Sequence, residues 1–122
     1  MDTQMTARVE GEVLVIAVTG TMAADSAEDA GARMAADLRA ALDRGPVDLL
    51  LDLAGLTFMD SAGLRVVLEA FQTVTGAGGR MALAAIQPNV ARLLDVAGLG
   101  THLTIYSGAD EAVAALNRPR PR

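Results

Sequence analysis

The stretch Leu50-Leu51-Asp52-Leu53-Ala54-Gly55-Leu56-Thr57-Phe58-Met59-Asp60-Ser61-Ala62-Gly63-Leu64 decides how this chain is read. Its first part belongs to an apolar run over residues 47–53, short and rich in Leu, which reads as a buried strand. Residues 54–56 read as a short connection. Thr57-Phe58-Met59 then leads into Asp60-Ser61-Ala62-Gly63. Beyond it the apolar spacing becomes helical, with Leu64, Val67, Leu68 and Phe71 on one face, so a helix is expected to about residue 74. Gly76-Ala77-Gly78-Gly79 ends it. The deciding feature is therefore a buried strand that passes through a tight turn into a helix, with a serine at the turn.

Reading outward, the same alternation recurs. Residues 12–20 form a second apolar run closed by Gly20, and residues 6–10 read as an edge strand joined to it through a tight turn at Gly11-Glu12. Residues 25–44 carry helical spacing, with Ala27, Ala30, Met34, Leu38 and Ala41 or Leu42 on one face. Asp25, Glu28 and Asp29 sit in the first turn, where negative charge complements the helix dipole. Gly31 inside that helix is mildly unfavourable, and Gly45-Pro46 stops it. Residues 80–86 read as a third strand. Pro88 opens a helix whose apolar stripe is Val90, Leu93, Leu94 and Ala97, with Gly98 as its cap. Residues 103–106 form a short strand, and Ser107 or Asp110 caps a last helix to about Asn117. Strand and helix alternate throughout, which predicts one α/β domain over residues 1–117 with a mixed, mainly parallel β-sheet, an N-terminal hairpin and about four helices. The Arg-Pro tail at residues 118–122 is expected to be disordered.

Composition fits this reading. The chain has 122 residues, the length of one domain. Hydrophobic residues make up 52% and aromatics only 2%, so the core is aliphatic, with Phe58 and Phe71 expected as its large anchors. Net charge is −5, and three of the ten basic residues, all Arg, lie in the tail. An acidic body argues against general nucleic-acid binding, which needs cations to displace phosphate counterions. There is no Cys and a single His, His102, so disulfides, thiolate metal sites and multi-His metal sites are excluded. No apolar run approaches the roughly 20 residues that cross a bilayer. Met1-Asp2-Thr3-Gln4 has no signal-peptide character, so a cytoplasmic protein without membrane insertion is expected.

The chemistry candidates converge on Asp60-Ser61-Ala62-Gly63. At a helix start, free backbone N–H groups and the helix dipole make a seat for phosphate. A phosphorylated Ser61 gains about two negative charges and three acceptor oxygens. Gly63 permits close approach of another backbone. The plainer reading is that Asp60 or Ser61 is only an N-cap, and the two readings are compatible. A nucleophilic Ser61 needs a base and an elbow motif; position 59 is Met rather than Gly, and His102 reads as a solvated loop residue. An aspartate phosphoreceiver needs clustered acids after the first strand and a Lys, and neither is present. Gly76-Ala77-Gly78-Gly79 precedes a strand, which does not fit a nucleotide cradle.

The run from Leu50 to Leu64 resembles the core motif of STAS domains, the family of bacterial anti-sigma factor antagonists and of sulphate-transporter cytoplasmic tails. The similarity extends to the hairpin, the first helix, the Gly-Gly-Arg strand start and the Pro-x-Val-x-x-Leu-Leu-x-x-x-Gly-Leu helix at Pro88 to Leu99. The resemblance implies a non-enzymatic binding module that frees a sigma factor by binding its anti-sigma factor serine kinase. Ser61 is the implied phosphorylation site, a phosphatase resets it, and Asp60 positions the acceptor. ATP belongs to the kinase, so no cofactor is expected. The implied partner surface comprises Asp60, Ser61, Ala62 and Gly63 with Thr21 and Met22. Family members carry an acidic pair in the segment that here reads Gly20-Thr21-Met22-Ala23-Ala24, so the partner surface of this chain departs from the pattern. The alternative is a non-switching scaffold or accessory subunit of a stress-signalling or transport complex, using an apolar contact at Thr21-Met22-Ala23. A weak homodimer is left open.

Overall fold

The computed structural model describes residues 3–99 and 103–118. In chain order the elements are β1 (Thr3–Glu10), β2 (Val13–Met22), α1 (Ala27–Leu42), β3 (Asp48–Met59), α2 (Ser61–Gly76), β4 (Met81–Ala84), α3 (Pro88–Val96), β5 (Thr104–Tyr106) and α4 (Ala109–Leu116). The strands lie in one sheet in the order β1-β2-β3-β4-β5. β1 pairs antiparallel with β2, and every other pairing is parallel. This is the α/β domain with a mixed, mainly parallel sheet that the sequence predicts. His102 and the tail beyond residue 118 lie outside the described residues.

The strands sort their side chains between two unequal cores, because successive residues point to opposite faces. Leu14, Ile16 and Val18 of β2, Leu49 and Leu51 of β3, and Met81 and Leu83 of β4 pack under α1, α2 and α3. Val13, Val15, Leu50, Ala82 and Ala84 face the other way, under Ala112 and Leu116 of α4. The second core is lined largely by Ala and Val, which suits a helix of only eight residues. The hairpin turn rests on Gly11, whose φ of 66° is left-handed. The side chain of Asn117, just past α4, clips this turn: its Oδ1 accepts from Glu12 N at 3.0 Å and its Nδ2 donates to the Glu10 carbonyl at 3.1 Å.

The largest departure from expectation concerns residues 54–59. The connection expected at residues 54–56 is not one: β3 continues through it to Met59 and runs for 12 residues alongside the lengthened β2. The pairing stays in contact through two register shifts. Ala17 faces Asp52 but Thr19 faces Gly55, and Gly20 faces Leu56 but Thr21 faces Phe58. At each shift β3 accommodates one extra residue, a β-bulge. Buried positions in this part of β3 therefore fall at Leu53, Leu56 and Met59, every third residue. Thr57 closes the second bulge by donating its hydroxyl to the Gly20 carbonyl at 3.0 Å. β4 pairs only with residues 49–52 of β3. Past that point Asn89, at the start of α3, donates from Nδ2 to the Thr57 carbonyl at 3.2 Å, standing in for the absent strand.

The second bulge corrects the expectation for Phe58. It is 47% exposed, not a core anchor, because the extra residue turns its side chain away from the helices. Phe71 does pack against the main core from α2, partly buried. The last helix also starts differently: its N-cap is Gly108, without a side-chain cap, rather than Ser107 or Asp110.

Candidate functional site

Two loops meet at the carboxyl ends of β2 and β3. One is residues 23–26, between β2 and α1; the other is the single residue Asp60, between β3 and α2. Asp60 is extended, with φ −112° and ψ −167°, and is the N-cap of α2. Its Oδ1 accepts from the backbone N–H of Ala62 at 2.9 Å and of Gly63 at 3.3 Å. Its Oδ2 accepts from the N–H of Ala24 at 3.1 Å. One carboxylate thus caps the helix and ties the neighbouring loop to it. Its own N–H donates to the Met22 carbonyl at 3.3 Å, which adds a backbone tie between the same two loops.

Between the two candidates for the cap, the structure selects Asp60, and Ser61 is the first residue of α2. Ser61 is exposed, and its hydroxyl makes no hydrogen bond among the described residues. A serine acting as a cap would spend its oxygen on the helix N–H groups. Here those groups are already held, and the hydroxyl is left to solvent. Of the helix-start N–H groups expected to seat a phosphate, those of Ala62 and Gly63 are held by Asp60 in the unmodified chain.

Gly63 is buried, and the reason is contact between backbones. A Cβ at this position would stand 2.2 Å from the Met22 carbonyl oxygen and 2.8 Å from Met59 Cγ. Any side chain there forces α2 away from the end of β2. Ala62 is half-buried against the core. Gly63 and Ala62 thus set how closely the Ser61 turn is seated.

Thr21 and Met22, expected at the partner surface, divide. Thr21 is partly exposed; its carbonyl accepts from the hydroxyls of Ser26, at 3.2 Å, and of Thr3. Met22 is 0% exposed, and its side chain sits in the main core with Ala27 and Met59. Its side chain is not a surface contact, because β2 continues to Met22 and the final strand residue points under α1. Ser26 folds the following loop back by accepting from Ala23 N at 3.3 Å. The loop, Ala23-Ala24-Asp25-Ser26, carries one exposed acid, Asp25, and is tied to the Asp60 cap of the Ser61 turn through the backbone N–H of Ala24.

Between α1 and α2 runs an open groove of 650 Å3 that begins at Ser61. Its floor is small: Ala27, Gly31, Ala35 and Ala62. Gly31, unfavourable for the helix alone, has its explanation here, since a Cβ would lie 3.3 Å from Val66 of α2. Glu28 of α1 and Arg65 and Glu69 of α2 supply the charged groups along the groove. Arg65 lies four residues after Ser61, a spacing legible in the sequence as one helical turn. The role of Ala24 left no such signal, because it acts through its N–H. Among the described residues no group of three or more His, Cys, Asp or Glu is placed to hold a metal ion, and no helix is long and apolar enough to cross a membrane.

Comparison with known proteins agrees with this geometry. Over 68 residues, 56% of its length, the chain is 40% identical to the anti-sigma F factor antagonist of Paenibacillus polymyxa; the match spans 58% of that protein. It is 28% identical over 115 residues to BtrV of Bordetella bronchiseptica, whose name assigns it to the same antagonist group, covering 94% of this chain and 95% of that one. Among solved structures, the fold matches the Bacillus cell fate determinant SpoIIAA in its phosphorylated form with a TM-score of 0.71 at 23% identity, covering 94% of this chain and 99% of that one. The family model for the STAS domain matches residues 4–112, and with the five-stranded mixed sheet and the Asp-capped serine turn in place, the chain belongs to the STAS domain family.

Proposed function

We propose that this chain is an anti-sigma factor antagonist whose binding is switched by phosphorylation of Ser61. Unmodified, it binds an anti-sigma factor serine kinase and frees the sigma factor; phosphorylated, it dissociates, and a phosphatase resets it. The observation that carries this reading is Ser61 itself. Its hydroxyl is exposed and unbonded among the described residues, at the first position of a helix whose cap is supplied by its neighbour. A kinase forms the new P–O bond at Ser61 Oγ with the γ-phosphoryl group of ATP, releasing ADP and the hydroxyl proton. The chain needs no cofactor or catalytic group of its own for this, and the reading places it in the cytoplasm with its partner.

The switch is electrostatic. A phosphate adds about two negative charges directly beside the Asp60 carboxylate, on a surface that otherwise offers a partner a neutral hydroxyl and a loop whose one charge is Asp25. The N–H groups of Ala62 and Gly63 are already engaged by Asp60, so they do not offset the new charge. Incubation with the anti-sigma kinase and ATP adds one phosphate, read by intact mass, and Ser61→Ala abolishes it. Ser61→Asp weakens kinase binding. Unchanged labelling of Ser61→Ala overturns the site. The scaffold alternative rested on an apolar contact at Thr21-Met22-Ala23, and the burial of Met22 takes away the largest side chain of that contact.

A further inference from the structure

Arg65 is exposed, and among the described residues its guanidinium makes no hydrogen bond or ion pair. It lines the groove that begins at Ser61, with Glu28 on α1 and Glu69 four residues further along α2. Residues four apart on a helix stand on one face with their Cβ atoms about 5–6 Å apart. Arg65 is therefore placed midway between Ser61, one turn before it, and Glu69, one turn after.

The two neighbours are not equivalent. An acidic group N-terminal to a basic one at this spacing pairs better than the reverse order. While Ser61 carries a hydroxyl, the acids that line the groove with Arg65 are Glu69, in the weaker orientation, and Glu28 on α1. Once Ser61 carries a phosphate, the stronger orientation becomes available, with a larger charge and three acceptor oxygens in place of two. The usual competitor for such a phosphate, the pair of N–H groups at the helix start, is held by Asp60.

From this we infer that Arg65 is the intramolecular receptor for phosphate on Ser61, folding the phosphate back along α2 into the α1–α2 groove. The inference rests on Ser61 being the modified residue. Its consequence is that phosphorylation does two things at once: it places negative charge at the turn and withdraws the one cation of this groove from any partner. The groove, where one Arg stands against two Glu, is left with Glu28 and Glu69 uncompensated.

The test needs no kinase. Phosphoserine is placed at position 61 of the full chain during synthesis, and the second ionisation of the phosphate is followed by phosphorus NMR. The charged groups around that phosphate are Asp60 beside it, Arg65 and Glu69 on its own helix, Glu28 on α1, and Asp25 in the loop tied to Asp60. A cation favours the dianion and lowers the titration midpoint; the carboxylates raise it. Arg65→Gln raises the midpoint by about half a pH unit. Arg65→Lys restores most of the shift, and the difference between wild type and Arg65→Gln shrinks in 1 M salt. An equal midpoint in wild type and Arg65→Gln, with both proteins folded by circular dichroism, overturns the inference. Kinase labelling is the separate arm: a midpoint shift without labelling of Ser61 would remove the proposed switch and leave the Arg65 contact standing, whereas labelling without a shift removes Arg65 alone.

Discussion

β3 begins and ends at an aspartate, and the two aspartates build opposite kinds of end. Asp48, its first residue, is 7% exposed. Its Oδ1 accepts from Arg80 N at 2.8 Å, and its Oδ2 accepts from Nε and Nη2 of the same residue at 3.2 and 2.8 Å. Arg80 Nη2 also reaches the Leu116 carbonyl at 2.7 Å, so the start of β3, the start of β4 and the end of α4 are held by one cluster. Asp60, just past the last residue of β3, holds only backbone N–H groups, and it leaves the side chains of Ser61 and Arg65 uncommitted. A nearly buried carboxylate paired with a guanidinium locks one end. Charge spent on backbone at the other end fixes the position of a turn while leaving its side chains available.

Three substitutions test that contrast. Asp48→Ala has the largest expected effect, since it strands the Arg80 N–H and removes the acceptor for its guanidinium. A loss of about 2–4 kcal/mol in unfolding free energy is expected, measured by urea denaturation. A loss below 1 kcal/mol would mean that the two ends are alike. Asp60→Ala removes the cap of α2 and the tie to Ala24, and costs about 1–2 kcal/mol. It also loosens the turn that presents Ser61, so phosphorylation by the kinase slows. Labelling at the wild-type rate would show that the cap does not position the acceptor. Ser61→Ala sharpens the contrast at its lower limit: stability changes by less than about 0.5 kcal/mol, because the hydroxyl has no partner to lose. A larger destabilisation would place Ser61 in the structure of the turn rather than in its exchange with a partner.

Much of this fold is legible in the sequence because it rests on local periodicity. The apolar runs of β2 and β3, the helical spacing of α1 and α2, and Pro88 at the start of α3 each act within a few residues, and their alternation fixes an α/β sheet. The Ser61 turn is legible for the same reason: a strand pattern and a helix pattern abut there with no room for a longer loop. The failures occur where pairing overrides spacing. Phe58 reads as core because large aromatic side chains are usually buried, but beside the bulge opposite Gly20 and Thr21 it stands 47% exposed. Met22 reads as a loop residue, but parallel pairing with Met59 extends β2 over it and buries it.

By itself, then, the sequence determined the order of elements, the hydroxyl at the start of α2 and the cation one turn beyond it, since these depend on neighbours along the chain. Only the tertiary structure decided that Asp60 and not Ser61 is the cap, that the N–H groups of Ala62 and Gly63 are occupied, and that Glu28 and Arg65 line one groove. Those facts depend on a loop 36 residues away and on the packing of α1 against α2, and no local pattern of residues encodes either.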